Sequence, residues 1–310
     1  MESLRLVLLC SFLYLAVVHM GIYASNDVSR DSYWKTALPK TPIPKSLQEL
    51  LRPADAQQYI GKDVHDLDAR RGPCCLIYDH GAAASGKIQA EPNVTTFFLE
   101  KDLHMGNKMT LHFPKTTNAT AATLLSRKVA NPIPFSKSKL PQILNYFAVK
   151  PNSAEAQVIK QTIEECEAPS IKGEYKYCAT SLESLVDFTV SRLGKYVQIY
   201  STEAENENKQ EYKIAKGVVQ RIGDRSVVCH QQNYVYAVFY CHEDRSTRAY
   251  VVPLVGADGT KAEAVAVCHT DTSDWNKQHL AFQVLKIKPG TLPICHFLTS
   301  GNQLLWVPKD

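Results

Sequence analysis

Four cysteines are each followed directly by a histidine: Cys229-His230, Cys241-His242, Cys268-His269 and Cys295-His296. Ten, twenty-five and twenty-five residues separate them. On a β-strand, adjacent side chains point to opposite faces, so such a dipeptide sends its sulfur one way and its imidazole the other. The two atoms are therefore poorly placed to bind one metal together. The simplest reading divides the labour: the cysteines pair as disulfides on one side, and the histidines present nitrogens on the other. Neutral imidazole suits zinc, copper, iron or nickel, and the higher affinity of nitrogen sites for copper(II) tilts the choice towards copper. A zinc finger needs reduced thiolates at short spacing and fits less well. The plainer alternative is four hydrogen-bonded core histidines beside structural disulfides.

The N-terminus reads as a cleavable signal peptide over residues 1–24. Arg5 precedes an apolar run from Leu6 to Val18, too short to span a bilayer, and small residues around Ala24 mark the exit. Cys10 falls in that segment and leaves eight cysteines: Cys74, Cys75, Cys166, Cys178, Cys229, Cys241, Cys268 and Cys295. An even number in an oxidising compartment argues for disulfides, with their connectivity open. Sequons at Asn93 and Asn118 agree with export. The net charge of +4 is far below the Lys/Arg density of a nucleic-acid binder, and no phosphate-cradling glycine motif is present. After signal removal no membrane span is expected.

Residues 25–94 carry Pro39, Pro42 and Pro44 and the small-residue stretch 81–86, so an extended, linker-like segment is expected, with a short helix over 46–51. From residue 95 the texture changes. A strand is predicted over 95–99, and helices from Leu140 to Phe147, from a cap at Asn152 to Cys166, and from a cap at Thr180 to Gly194. Beyond Val218 the period becomes two, giving strands over 227–230, 234–242, 248–255 and 262–269. Ala257-Asp258-Gly259 marks a hairpin. A short helix over 273–282 and strands over 294–297 and 304–307 complete the reading. The expected fold class is α+β: N-terminal helices packed on a mostly antiparallel β C-terminal half, stapled by disulfides.

The spacing CH-x10-CH-x25-CH-x25-CH resembles the BURP domain of secreted plant proteins. Further matching stretches are Phe97-Phe98, Pro134-Phe135-Ser136, Cys166-Glu167, Lys176 to Ser184, Asp271 to Trp275 and Trp306-Val307-Pro308. The resemblance covers residues 95–310, and Tyr33-Trp34 to Leu51 is similar to an N-terminal segment of some members. One departure is Tyr234-Val235-Tyr236, where the family usually carries Tyr-Pro-Tyr.

The resemblance implies one of two activities. Some members are copper-dependent cyclases that oxidatively join a Tyr or Trp side chain to another residue of a core peptide, in the same chain or a separate one. On that reading His230, His242, His269 and His296 ligate copper, and Asp271 and His279 are candidates to orient a ligand ring or add a nitrogen. Tyr78, in Cys75-Leu76-Ile77-Tyr78, is the candidate core residue; a packed ring beside a local disulfide is its plainer reading. Other members are non-catalytic wall proteins, for which Lys35, Lys40 and Lys45 offer charge to an acidic polysaccharide.

Overall fold

The computed structural model describes residues 30–51, 93–114, 122–217, 219–301 and 303–309. The signal peptide, Cys74, Cys75, Tyr78 and Asn118 lie outside the described residues; Asn93 is exposed.

Helices α1 (Arg30–Ala37) and α2 (Lys45–Leu50) are followed by strands β1 (Phe98–Leu99) and β2 (Lys108–Leu111). Next come α3 (Arg127–Ala130), α4 (Leu140–Tyr146), α5 (Ala154–Glu167), β3 (Glu174–Ala179) and α6 (Leu182–Leu193). Strands β4 (Val197–Tyr200), β5 (Glu203–Ala204), β6 (Gln210–Ile214), β7 (Gln220–Gly223), β8 (Val227–Gln231) and β9 (Phe239–Asp244) lead to the long hairpin β10 (Thr247–Gly256) and β11 (Lys261–His269). Helix α7 (Leu280–Leu285) and strands β12 (Ile294–Phe297) and β13 (Gln303–Pro308) end the described fold.

The strands form two antiparallel sheets. One runs β3-β9-β8-β13-β4; the other runs β1-β12-β11-β10-β6-β2, with β5 beside β11 and β7 beside β10. Their facing surfaces meet through Val228, Ala249, Val265, Val267, Leu298 and Leu305. The far side of the smaller sheet is covered by α1, α2 and α6, which bury Trp34, Leu47, Leu185 and Val186 against Cys229, Cys241 and Trp306. The larger sheet rolls on itself, so that Phe113, just past β2, reaches Phe297 on β12 with ring centroids 6.2 Å apart. The α+β class expected from periodicity is the one observed.

The N-terminal segment differs from its expectation in part. The short helix expected over 46–51 is present as α2, but residues 30–37, expected to be extended, form α1, and Trp34, Leu38, Leu47 and Leu50 are buried. The prolines shape only the connection between them, where Trp34 Nε1 donates to Thr41 O at 2.7 Å and Thr41 Oγ1 to Val197 O at 2.7 Å. Burying Trp34 against Trp306 outweighs the local preference for extension.

Two caps sit one residue later than expected. Ser153 rather than Asn152 accepts from Ala156 N, and Ser181 rather than Thr180 accepts from Ser184 N. Adjacent residues of equal capping chemistry leave that choice to the incoming backbone. The strand expected over 234–242 begins only at Phe239. Tyr234 and Tyr236 instead turn into the helical lobe around Phe147, at 6.4 and 6.0 Å between centroids. The helix expected from 273 starts at Leu280.

Candidate functional site

Cys229 on β8 lies directly opposite Cys241 on β9, and Cys268 on β11 opposite Cys295 on β12. Both pairs are disulfide-bonded, each with Cα atoms 4.0 Å apart, the narrow spacing of a non-hydrogen-bonded antiparallel pair. Cys166–Cys178 ties α5 to β3. The first Cys-His dipeptide is thus linked to the second, and the third to the fourth. The sulfurs pack in the two outer cores, and each histidine, one residue on, faces the opposite way.

The imidazoles gather as two stacked pairs. His230 and His242 have centroids 5.3 Å apart at 18°, with Nε2 to Nε2 at 3.2 Å. His269 and His296 have centroids 5.6 Å apart at 20°. The four rings are only 0–4% exposed. The pairs come from different sheets yet form one electrostatic unit: His230 feels His242 and His269, and His296 feels all three others.

Carboxylates stand behind two of the rings. His269 Nδ1 is 3.0 Å from Asp244 Oδ2, and His242 Nδ1 is 3.3 Å from Glu174 Oε1. Burial pushes both carboxyls up, but the hydrogen bond and charge of the facing imidazole outweigh it, so each titrates below its ordinary value. Burial, then the neighbouring imidazoles, hold His230 and His296 well below the usual histidine range. Those two rings are therefore neutral, the form that ligates a metal.

Of the two residues expected to support the rings, Asp271 lies at the surface and accepts from Ser273 N at 3.0 Å. His279 is buried beside the cluster, its ring 4.8 Å from Trp275, which in turn sits edge-on to His269 at 5.0 Å. Its Nδ1 accepts from Ala281 N at 3.2 Å, capping α7, so the neutral ring carries its proton on Nε2. That nitrogen is a donor rather than a ligand. Glu174 and Asp244 were not singled out from the sequence. Asp244 has a visible signal, the alternation Tyr240, His242, Asp244 along one strand face; Glu174 becomes visible only once β3 pairs with β9, opposite Asp244.

Among the described residues no three His, Cys, Asp or Glu side chains are already arranged to hold a single ion. The pairwise geometry does suit one: nitrogens 3.2 Å apart match the edge of a tetrahedron with metal–nitrogen bonds of about 2.0–2.1 Å.

The comparisons with known proteins bear on the same residues. The family model described as BURP domain matches residues 96–308. The chain belongs to the BURP family. It is 51% identical over 236 residues to BURP domain protein RD22 of Arabidopsis thaliana and 49% identical over 237 residues to BURP domain-containing protein 3 of rice, covering 74% of this chain in each case. These alignments span 60% and 54% of the two relatives' own length. With rice BURP domain-containing protein 5 the identity is 42% over 294 residues, covering 91% of this chain and 88% of the relative. The matched BURP domain contains all four Cys-His dipeptides, Glu174 and Asp244. Helices α1 and α2 lie outside it yet complete its core.

The neutral histidines give the BURP domain an acid limit. The unfolded chain takes up protons at the ordinary value of 6.5 while folded His230 and His296 do not, so the unfolded state binds more protons below that pH. Stability is full above 6.5 and falls as pH drops through it. Each histidine is expected to contribute a slope of up to about 1.4 kcal/mol per pH unit. Urea midpoints at a series of pH values measure this, and His230→Gln should remove about half of the slope.

Proposed function

We propose that this BURP protein is secreted and that His230, His242, His269 and His296 hold copper between its two sheets. The observation that carries the reading is convergence: four dipeptides spread over the C-terminal third deliver four buried imidazoles to one inter-sheet cluster. Three disulfides favour an oxidising compartment, and with Cys229, Cys241, Cys268 and Cys295 all bonded the donor set is nitrogen only. No helix of the described residues is long and apolar enough to cross a membrane.

A bound copper ion supplies one-electron oxidation, which acid–base side chains cannot perform unaided. The substrate class is a peptide with a Tyr or Trp side chain, and Tyr78 is the candidate within this chain. The protein's own part is to present neutral nitrogens, keep bulk water from them, and hold them on two covalently tied ladders. The same burial favours a second reading. Among the described residues the four histidines are only 0–4% exposed, which offers a peptide little direct contact and suits a non-catalytic wall or apoplast protein with a structural metal.

Copper loading of the secreted full-length chain tests the site. Elemental analysis is expected to give bound copper that His230→Ala or His269→Ala lowers by about 10-fold or more in affinity. Peptide mass spectrometry over residues 72–82 then separates the two readings. Copper- and oxygen-dependent loss of two hydrogens supports cyclisation in the same chain. Copper without such loss leaves a separate peptide or a structural role, and no copper removes the metal proposal.

A further inference from the structure

Two part-buried carboxylates from outside the Cys-His dipeptides reach ring nitrogens of the cluster. Asp244, two residues beyond His242 on β9, does not serve that histidine; it crosses to the other sheet and meets His269 Nδ1 at 3.0 Å. Glu174, opposite Asp244 on the edge strand β3, meets His242 Nδ1 at 3.3 Å. A neutral imidazole has one N–H and one lone pair, and a carboxylate can only accept. A ring whose Nδ1 faces a carboxylate therefore carries its proton there and turns the Nε2 lone pair the other way. For His242 that direction is known: its Nε2 lies 3.2 Å from His230 Nε2.

We infer that Glu174 and Asp244 are positioning residues for the histidine cluster, each fixing the tautomer of one imidazole so that Nε2 is the nitrogen offered inwards. The purpose of this arrangement rests on the metal-binding reading above; the arrangement itself does not. It also gives the Cys166–Cys178 bridge a function at a distance. Strand β3 is the outer strand of its sheet, bonded to one neighbour strand, and the bridge pins it to α5. Lys176 Nζ donates to Glu165 O at 3.0 Å and adds a second tie. Glu174 is thereby held to the cluster by a strand that would otherwise be free to fray. Asp244 is steadied by accepting from Ser246 N at 2.9 Å. Each sheet thus contributes one histidine whose orientation depends on a carboxylate of the smaller sheet, which locks the two ladders to each other as well as orienting the rings.

The test uses full-length chain, metal-free and copper-loaded, with Glu174→Met and Asp244→Leu to remove the acceptors at similar size. In the metal-free protein, held above the ordinary imidazole pKa of about 6.5, long-range nitrogen–proton NMR reads each ring's tautomer. The wild type is expected to show Nδ1–H on His242 and His269. Glu174→Met should release only His242 and Asp244→Leu only His269, each to a mixed population. Asp244→Asn keeps an acceptor and should restore the His269 tautomer, which a purely structural loss would not do. With copper, each acceptor-free variant is expected to lose about 10–100-fold in affinity and to change the nitrogen hyperfine pattern. Unchanged tautomers in the variants, or Nε2–H on either ring of the wild type, overturn the inference. A wild type with the expected tautomers but no copper affinity overturns the metal reading and leaves the positioning roles standing.

Discussion

Replacing Arg192 and Arg225 together by alanine is expected to lower the free energy of unfolding by about 3–5 kcal/mol. Glu243 lies between His242 and Asp244 on β9, but its side chain points to the helical side of the sheet and is 0% exposed. Arg192 Nε from α6 reaches it at 2.6 Å and Arg225 Nε at 2.9 Å. Arg225 also donates to the Arg192 carbonyl, so the two cations hold each other in place. Without them the carboxylate must either stay charged in an apolar core or take up a proton, and both are costly. Single replacements should cost less, because one guanidinium remains. Adding Glu243→Leu to the double variant should recover most of the loss, since a buried ion pair is often no better than a packed apolar side chain. Urea unfolding of the wild type and these four variants measures this. A double-variant loss below about 1 kcal/mol would mean that water already reaches Glu243.

Trp306→Ala should have an effect of similar size, about 3–5 kcal/mol, with a different signature. Trp306 on β13 is fully buried, and its ring lies 5.8 Å from that of Trp34 on α1. Its loss opens a cavity at the seam where the N-terminal helices dock, so proteolysis near residues 30–51 should accelerate well before global unfolding. Trp34→Ala is expected to show the same early cleavage. The double variant should cost less than the sum of the two by about 0.5–1.5 kcal/mol, the part that belongs to the ring pair. Additive losses would mean that each indole packs independently.

These outcomes follow from features that differ in how visible they are in the chain. The β10–β11 hairpin was legible because alternating Val and Ala flank Ala257-Asp258-Gly259, and the helix ending at Gly194 because an apolar stripe meets a glycine. Both are local signals. Packing of α1 was not legible, because the argument for extension came from nearby prolines while the partner of Trp34 lies 272 positions on, at Trp306. Non-local burial decided it. The division of each Cys-His dipeptide between two faces was legible from strand geometry alone. Which cysteines join, and which carboxylates back the rings, depends on strand order, which alternation does not encode. Asp271, a candidate to orient a ring, lies two residues past His269, but the chain leaves the strand after His269 and Asp271 turns outward to Ser273.

The two cross-strand bridges also act as a ratchet on pairing. In an antiparallel ladder a slip of one residue exchanges the inner and outer faces of the slipped strand, which here would turn His230 or His242 towards the helices and the neighbouring sulfur towards the other sheet. A covalent link between directly opposed positions forbids that slip in both ladders. Each bridge closes over a short span, 12 and 27 residues, so each pairing costs little loop-closure entropy. The bonding of the sulfurs on the outer faces and the gathering of the four nitrogens between the sheets are thus two results of a single register in each ladder.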